Sequence, residues 1–121
     1  MSARDGVRQS EGVRAHRLYR VALRDTLSVV IVSFRHKGLE RLYLDGSKKG
    51  VQAGHVPKLL RILSALDVAQ TPDDLAIPSF RTHPLKGALA GHWSIWVNGN
   101  WRVTFRFVDN DIELVDYQDY H

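Results

Sequence analysis

The chain has 121 residues, 44% of them hydrophobic and 25% charged, a formal net charge of +4 and no cysteine. That is enough for one hydrophobic core, and it rules out disulfides, thiolate nucleophiles and cysteine zinc sites. No apolar run nears the roughly 18 residues a membrane span requires, and the cysteine-free composition suits a reducing cytoplasm.

The basic excess is unevenly spread. Residues 1–28 carry six arginines (Arg4, Arg8, Arg14, Arg17, Arg20 and Arg24) against Asp5, Glu11 and Asp25, whereas residues 29–121 hold 11 Lys/Arg against 10 acids. Polar and without sustained periodicity, residues 1–28 read as an amino-terminal extension, and the domain as residues 29–121. Global basicity is therefore a poor guide to a nucleic-acid ligand. The local grouping of cations within the domain matters more.

The domain begins with the β-branched run Val29 to Phe34, apolar on both faces, which predicts a central strand. From Gly38 to Asp45, Leu39, Leu42 and Tyr43 recur at helical spacing, and Gly46 can end the turn. Residues 55–69 place Val56, Leu59, Leu60, Leu63 and Leu66 on one stripe, with Pro57 in the first turn, where its missing N–H costs little. Thr71 is a helix N-cap before Asp73 and Asp74. Between Pro78 and Pro84 an irregular, extended segment carries Arg81 and His83, with Lys86 just beyond.

Three strands follow. His92 to Val97 alternates Trp93, Ile95 and Val97 on one face. Asn98-Gly99 is a hairpin signal. Trp101 to Val108 sets Trp101, Val103, Phe105 and Phe107 against Arg102, Thr104 and Arg106 on the opposite face. Asp109-Asn110 turns the chain into Ile112 to Tyr117. The order β-α-α-β-β-β predicts an α+β fold, a mainly antiparallel sheet with helices packed on one face.

The chemistry gathers at the carboxy-terminal end. Arg102, Thr104 and Arg106 form a row with no acid on their own strand, a local anion site on a nearly neutral domain. His83 and Lys86 approach from the preceding loop, and the tail Asp119-Tyr120-His121 returns after the last strand. Cutting RNA without metal needs one group to take the 2′-hydroxyl proton, another to protonate the departing 5′ oxygen, and cations for the charge growing on phosphate. Two histidines and a set of cations supply these, provided His121 folds back towards His83. Taken singly the same residues are ordinary: a histidine before proline, a surface acid, a frayed terminus. The six histidines show no metal-ligand spacing, and no serine stands in a nucleophile-elbow motif. Trp96, on the polar side of its strand, is the one tryptophan left open as a base platform.

Five stretches carry a family likeness: Ser33-Phe34-Arg35-His36-Lys37-Gly38-Leu39, His83-Pro84-Leu85-Lys86-Gly87, Trp93-Ser94-Ile95, Asn100-Trp101-Arg102-Val103-Thr104-Phe105 and Asp116-Tyr117-Gln118-Asp119-Tyr120-His121. Together they resemble the HigB toxins of the RelE/ParE superfamily, with Gln118 where a glutamate is more usual. The resemblance implies a RelE-like fold and an mRNA interferase that cleaves transcripts in the ribosomal A site without metal or other cofactor. It also implies silencing by a HigA-like helix-turn-helix antitoxin, through which operator DNA is bound indirectly. By position, His83, Asp119, Tyr120 and His121 would form the catalytic group. Lys86 and Arg102 would be phosphate contacts, and Asn100, Arg106 and Arg81 complete the candidate RNA-contact set. The competing functions are a gyrase poison like the ParE branch, which would need neither His83 nor His121, and a nuclease-dead module that binds only antitoxin and operator.

Overall fold

A computed structural model describes residues 31–120. Among the described residues two helices and four strands form in the order α1 (Lys37–Asp45), α2 (Val56–Leu66), β1 (His83–Pro84), β2 (His92–Asn98), β3 (Trp101–Val108) and β4 (Asp111–Asp119), with short 3₁₀ turns between. The strands lie in chain order, β1-β2-β3-β4, and every neighbouring pair is antiparallel.

Local chemistry sets the helix ends. His36 caps α1 by accepting the Leu39 N–H on Nδ1 at 3.0 Å, and Gly46 closes it in a left-handed conformation (φ 76°), as the glycine predicts. The α2 helix carries Pro57 in its first turn and buries Val56, Leu59, Ile62, Leu63 and Leu66. Thr71 and Asp74 close a capping box at the turn Pro72–Leu75. Backbone N–H groups of Gln70 and Thr71 hold the Asp74 carboxyl below its ordinary range. The helices pack on the sheet face that carries Ile95, Val103, Phe105, Ile112, Val115 and Tyr117, all buried.

One close approach constrains the link between the helices. A Cβ placed on Gly38 would overlap the Gly50 backbone, and one on Gly50 would meet Gly38. Gly38→Ala is therefore expected to cost about 1–3 kcal/mol through overpacking, read as a lower denaturant midpoint with an unchanged slope. A cost under half a kcal/mol would mean that the loop yields freely.

Three readings need correction. The run Val29 to Phe34 does not form a central strand within its described part: residues 31–34 flank β4 through two isolated parallel bridges, Ile31 to Ile112 and Phe34 to Val115, and Val29 and Val30 lie outside the described residues. The cause is a bulge in β4. Leu114 takes φ 57° and gives its N–H to the Ser33 side chain at 2.9 Å, so a regular ladder cannot continue. The hairpin turn is Gly99-Asn100 rather than Asn98-Gly99, because Asn98 pairs with Trp101 across a register shift. Gly99 supplies the positive φ, and Asn100 stands at the exposed tip. Finally, the irregular segment before Lys86 contains a true strand, β1, pairing His83 with Ser94 and Pro84 with Trp93. Two residues suffice for Pro84, which donates no ladder bond and suits a sheet edge.

Candidate active site

Register alone assigns the faces. Across the four strands, His83, Ser94, Thr104 and Asp116 form one row, and Trp96, Arg102 and Gln118 the next, two residues along. His83 and Arg102 thus share the face opposite the helices. Regular strand spacings put their Cα atoms about 12 Å apart, within reach of two side chains that meet one phosphodiester.

His83 is exposed, and its Nδ1 lies 2.8 Å from the Arg81 carbonyl. A carbonyl only accepts, so Nδ1 bears hydrogen and Nε2 is left to exchange a proton with solvent or ligand. Arg81 itself adopts φ 49°, a strained conformation for arginine that turns this carbonyl towards His83. On the same face, one row along, the Arg102 guanidinium sits 5.8 Å from the Tyr120 ring. Among the described residues its hydrogen-bond acceptors are the Gly99 and Trp101 carbonyls, both 3.4 Å away, so they leave most of its donor capacity unspent. Tyr120 is anchored by its backbone N–H to the Asn100 carbonyl at 2.8 Å, which pins the tail to the hairpin tip.

Other candidates fall elsewhere. Arg106 is exposed but holds Glu113 of β4 at 3.0 Å, and Thr104 is buried and accepts from Gln118 at 2.8 Å. The acid-free row read from one strand is thus neutralised at one end by its neighbour strand, a pairing that the β4 bulge brings into register. Lys86 is exposed at the start of the Gly87–Leu89 turn, beyond His83 and away from Arg102. Asp119 pairs with Trp101 and so belongs to the other face from Arg102. There it sits near Tyr117, whose phenol is pushed above its ordinary range by burial and then by Asp119, against the Gln52 N–H. Tyr117 Oη lies 2.7 Å from His55 Nδ1 and 3.3 Å from Gln52 N. His121, and with it the expected return of the terminal imidazole, lies outside the described residues.

Sequence reading missed Lys58. It reaches the Trp96 ring (4.5 Å from Nζ) together with Arg81 (4.1 Å), which occupies the indole expected to be free for a base. Only its place on the polar side of α2's apolar stripe could have drawn notice. Among the described residues no three His, Asp or Glu side chains gather as a metal site would require, and no helix is long and apolar enough to cross a membrane.

Residues 32–121 match the family model of the RelE-like toxin of type II toxin–antitoxin system HigB. The chain belongs to this HigB-like toxin family. Among its relatives are Endoribonuclease HigB of Proteus vulgaris, 42% identical over 92 residues (76% of this chain and all of the relative), and Toxin HigB-1 of Vibrio cholerae serotype O1, 37% identical over 92 residues (74% and 96%). Two crystal structures of YafQ from E. coli are also similar, one of them a mutant. They are 15% and 12% identical, with TM-scores of 0.45 and 0.46, over 78% of this chain and 93% of theirs. A HigB-like toxin of a type II system has an antitoxin as its partner.

Proposed function

We propose that this HigB-like toxin is an endoribonuclease that cuts messenger RNA in the ribosomal A site by metal-independent general acid/base catalysis. The single observation that carries the reading is the shared open face: His83 with Nε2 available, and the Arg102–Tyr120 pair one row away. One histidine of the pair His83 and His121 takes the proton of the 2′-hydroxyl, whose oxygen attacks the phosphorus. The bond to the 5′ oxygen breaks as the other histidine protonates it, leaving a 2′,3′-cyclic phosphate. Arg102 meets the charge that builds on the phosphoryl oxygens, and Lys86 approaches from the other side of His83. Tyr120 stacks on a base or bonds the attacking oxygen. Asp119 acts at a distance, through its charge on the tail. Asn100, Arg81 and Arg106 line the strand's path, Arg106 with its charge partly spent on Glu113. The name of the Proteus relative, an endoribonuclease, supports cleavage of RNA. The antitoxin is a HigA-like helix-turn-helix protein that carries the pair to operator DNA, in the cytoplasm.

The test uses purified chain, translating ribosomes and chelator. Wild type should cut the transcript, and Arg102→Ala should cut it about 10²–10³-fold more slowly, the usual cost of removing one charge-stabilising donor. The melting temperature should barely move, because this guanidinium lies off the packed face. Supercoiling by gyrase should be untouched. A chain that blocks gyrase and spares RNA would overturn the reading.

A further inference from the structure

The cluster around Trp96 is not explained by the catalytic group. Lys58 and Arg81 both lie against one indole, and Arg61 stands one helical turn from Lys58 on the same side of α2. Among the described residues none of Lys58, Arg61 and Arg81 forms a salt bridge, so no carboxylate there answers these three cations. Lys58 also sits in the first turn of α2, where the helix dipole disfavours positive charge. The indole offsets part of this through cation–π attraction, worth about 0.5–1 kcal/mol per exposed contact. The Ser79 carbonyl accepts from Lys58 Nζ at 2.7 Å. Three like charges held together, one of them against a helix dipole, with no salt-bridged acid between them, make a site for an anion.

We propose that Lys58 and Arg81, held on Trp96, and Arg61 beside Lys58 form a second phosphate-binding subsite that grips the RNA strand beyond the scissile linkage. This deepens the ribonuclease reading and rests on it. Trp96 is cross-strand from Arg102, and the Arg81 carbonyl holds His83. The patch is therefore continuous with the reacting face, offset from the His83 row by two residues, about 7 Å of strand. An RNA backbone leaving the His83–Arg102 gap along β2 meets it within about a nucleotide. Burial, and then Arg61 and Arg81, lower the Lys58 pKa below its ordinary value. A bound phosphate would relieve that repulsion.

The experiment follows binding of the full chain to a short, fluorescently labelled single strand carrying 2′-O-methyl groups, by anisotropy across a salt series. Each lost phosphate contact lowers the slope of log K against log salt by about 0.7 for single strands. Lys58→Ala/Arg61→Ala should therefore reduce the slope by about 1.4 and raise Kd about tenfold. Arg61→Ala alone, an exposed change on a helix, should give half the slope change and guards against misfolding of the double variant. An unchanged slope in both variants, or no salt-dependent binding by wild type, overturns the proposal. So does loss of affinity only for a Glu-rich peptide, which would make the patch a polypeptide surface. Because the strand cannot be cut, a His83→Ala chain that still cleaves transcripts would sink the catalytic reading and leave this measurement standing.

Discussion

His83→Ala should lower the rate of transcript cleavage by about 10²–10⁴, the range for a positioned proton-transfer group, and should leave stability within about half a kcal/mol. The two effects separate because the side chain is exposed and its one described hydrogen bond runs to a neighbouring carbonyl. The pH profile names its role. Wild type should show a bell-shaped dependence, and the variant should lose one limb. Loss of the acidic limb makes His83 the base, and loss of the alkaline limb makes it the acid. His121→Ala should remove the complementary limb. Variants that keep full toxicity and an intact bell would end the ribonuclease reading.

The second large effect is on stability. Phe105→Ala should cost about 3–5 kcal/mol, the usual penalty for emptying a buried aromatic site, out of a total that for a domain of this size is about 5–15 kcal/mol. Phe105 is fully buried in the middle of β3, across from Trp93, with Phe107 edge-on at 5.8 Å. It also stands opposite the β4 bulge, so the strand pair cannot easily close over the vacancy. Thermal unfolding followed by circular dichroism should fall by more than 10 °C, given about 4–8 °C per kcal/mol in small domains. A shift under 5 °C would mean that Phe107, half-exposed beside it, fills the gap, and would contradict the rigidity argued for this strand.

Much of the architecture could be read from periodicity. Leucine spacing located α2 and, with a terminating glycine after it, α1. Alternation along β3 assigned Val103 and Phe105 to the core and Arg102 to the other face. These are local signals, carried within one turn of helix or two residues of strand. The errors came where a distant partner decided the outcome. Ser33 captures the Leu114 N–H, and residues 31–34 meet β4 only in two isolated bridges. Asn98 pairs with Trp101 and moves the turn by one.

The site divides in the same way. That His83, Arg102 and Tyr120 are candidates for the chemistry was legible, because their residue types and the motifs around them are one-dimensional facts. That Arg106 is spent on Glu113, that Asp119 belongs to the other face, and that Lys58 and Arg81 share the Trp96 ring are consequences of strand register and of α2's placement. Side-chain charge and propensity are properties of a residue and its near neighbours, so the sequence alone determined the helices, the strand faces and the list of reactive groups. Which of those groups meet is set by pairings across tens of residues, and only the folded chain decides them.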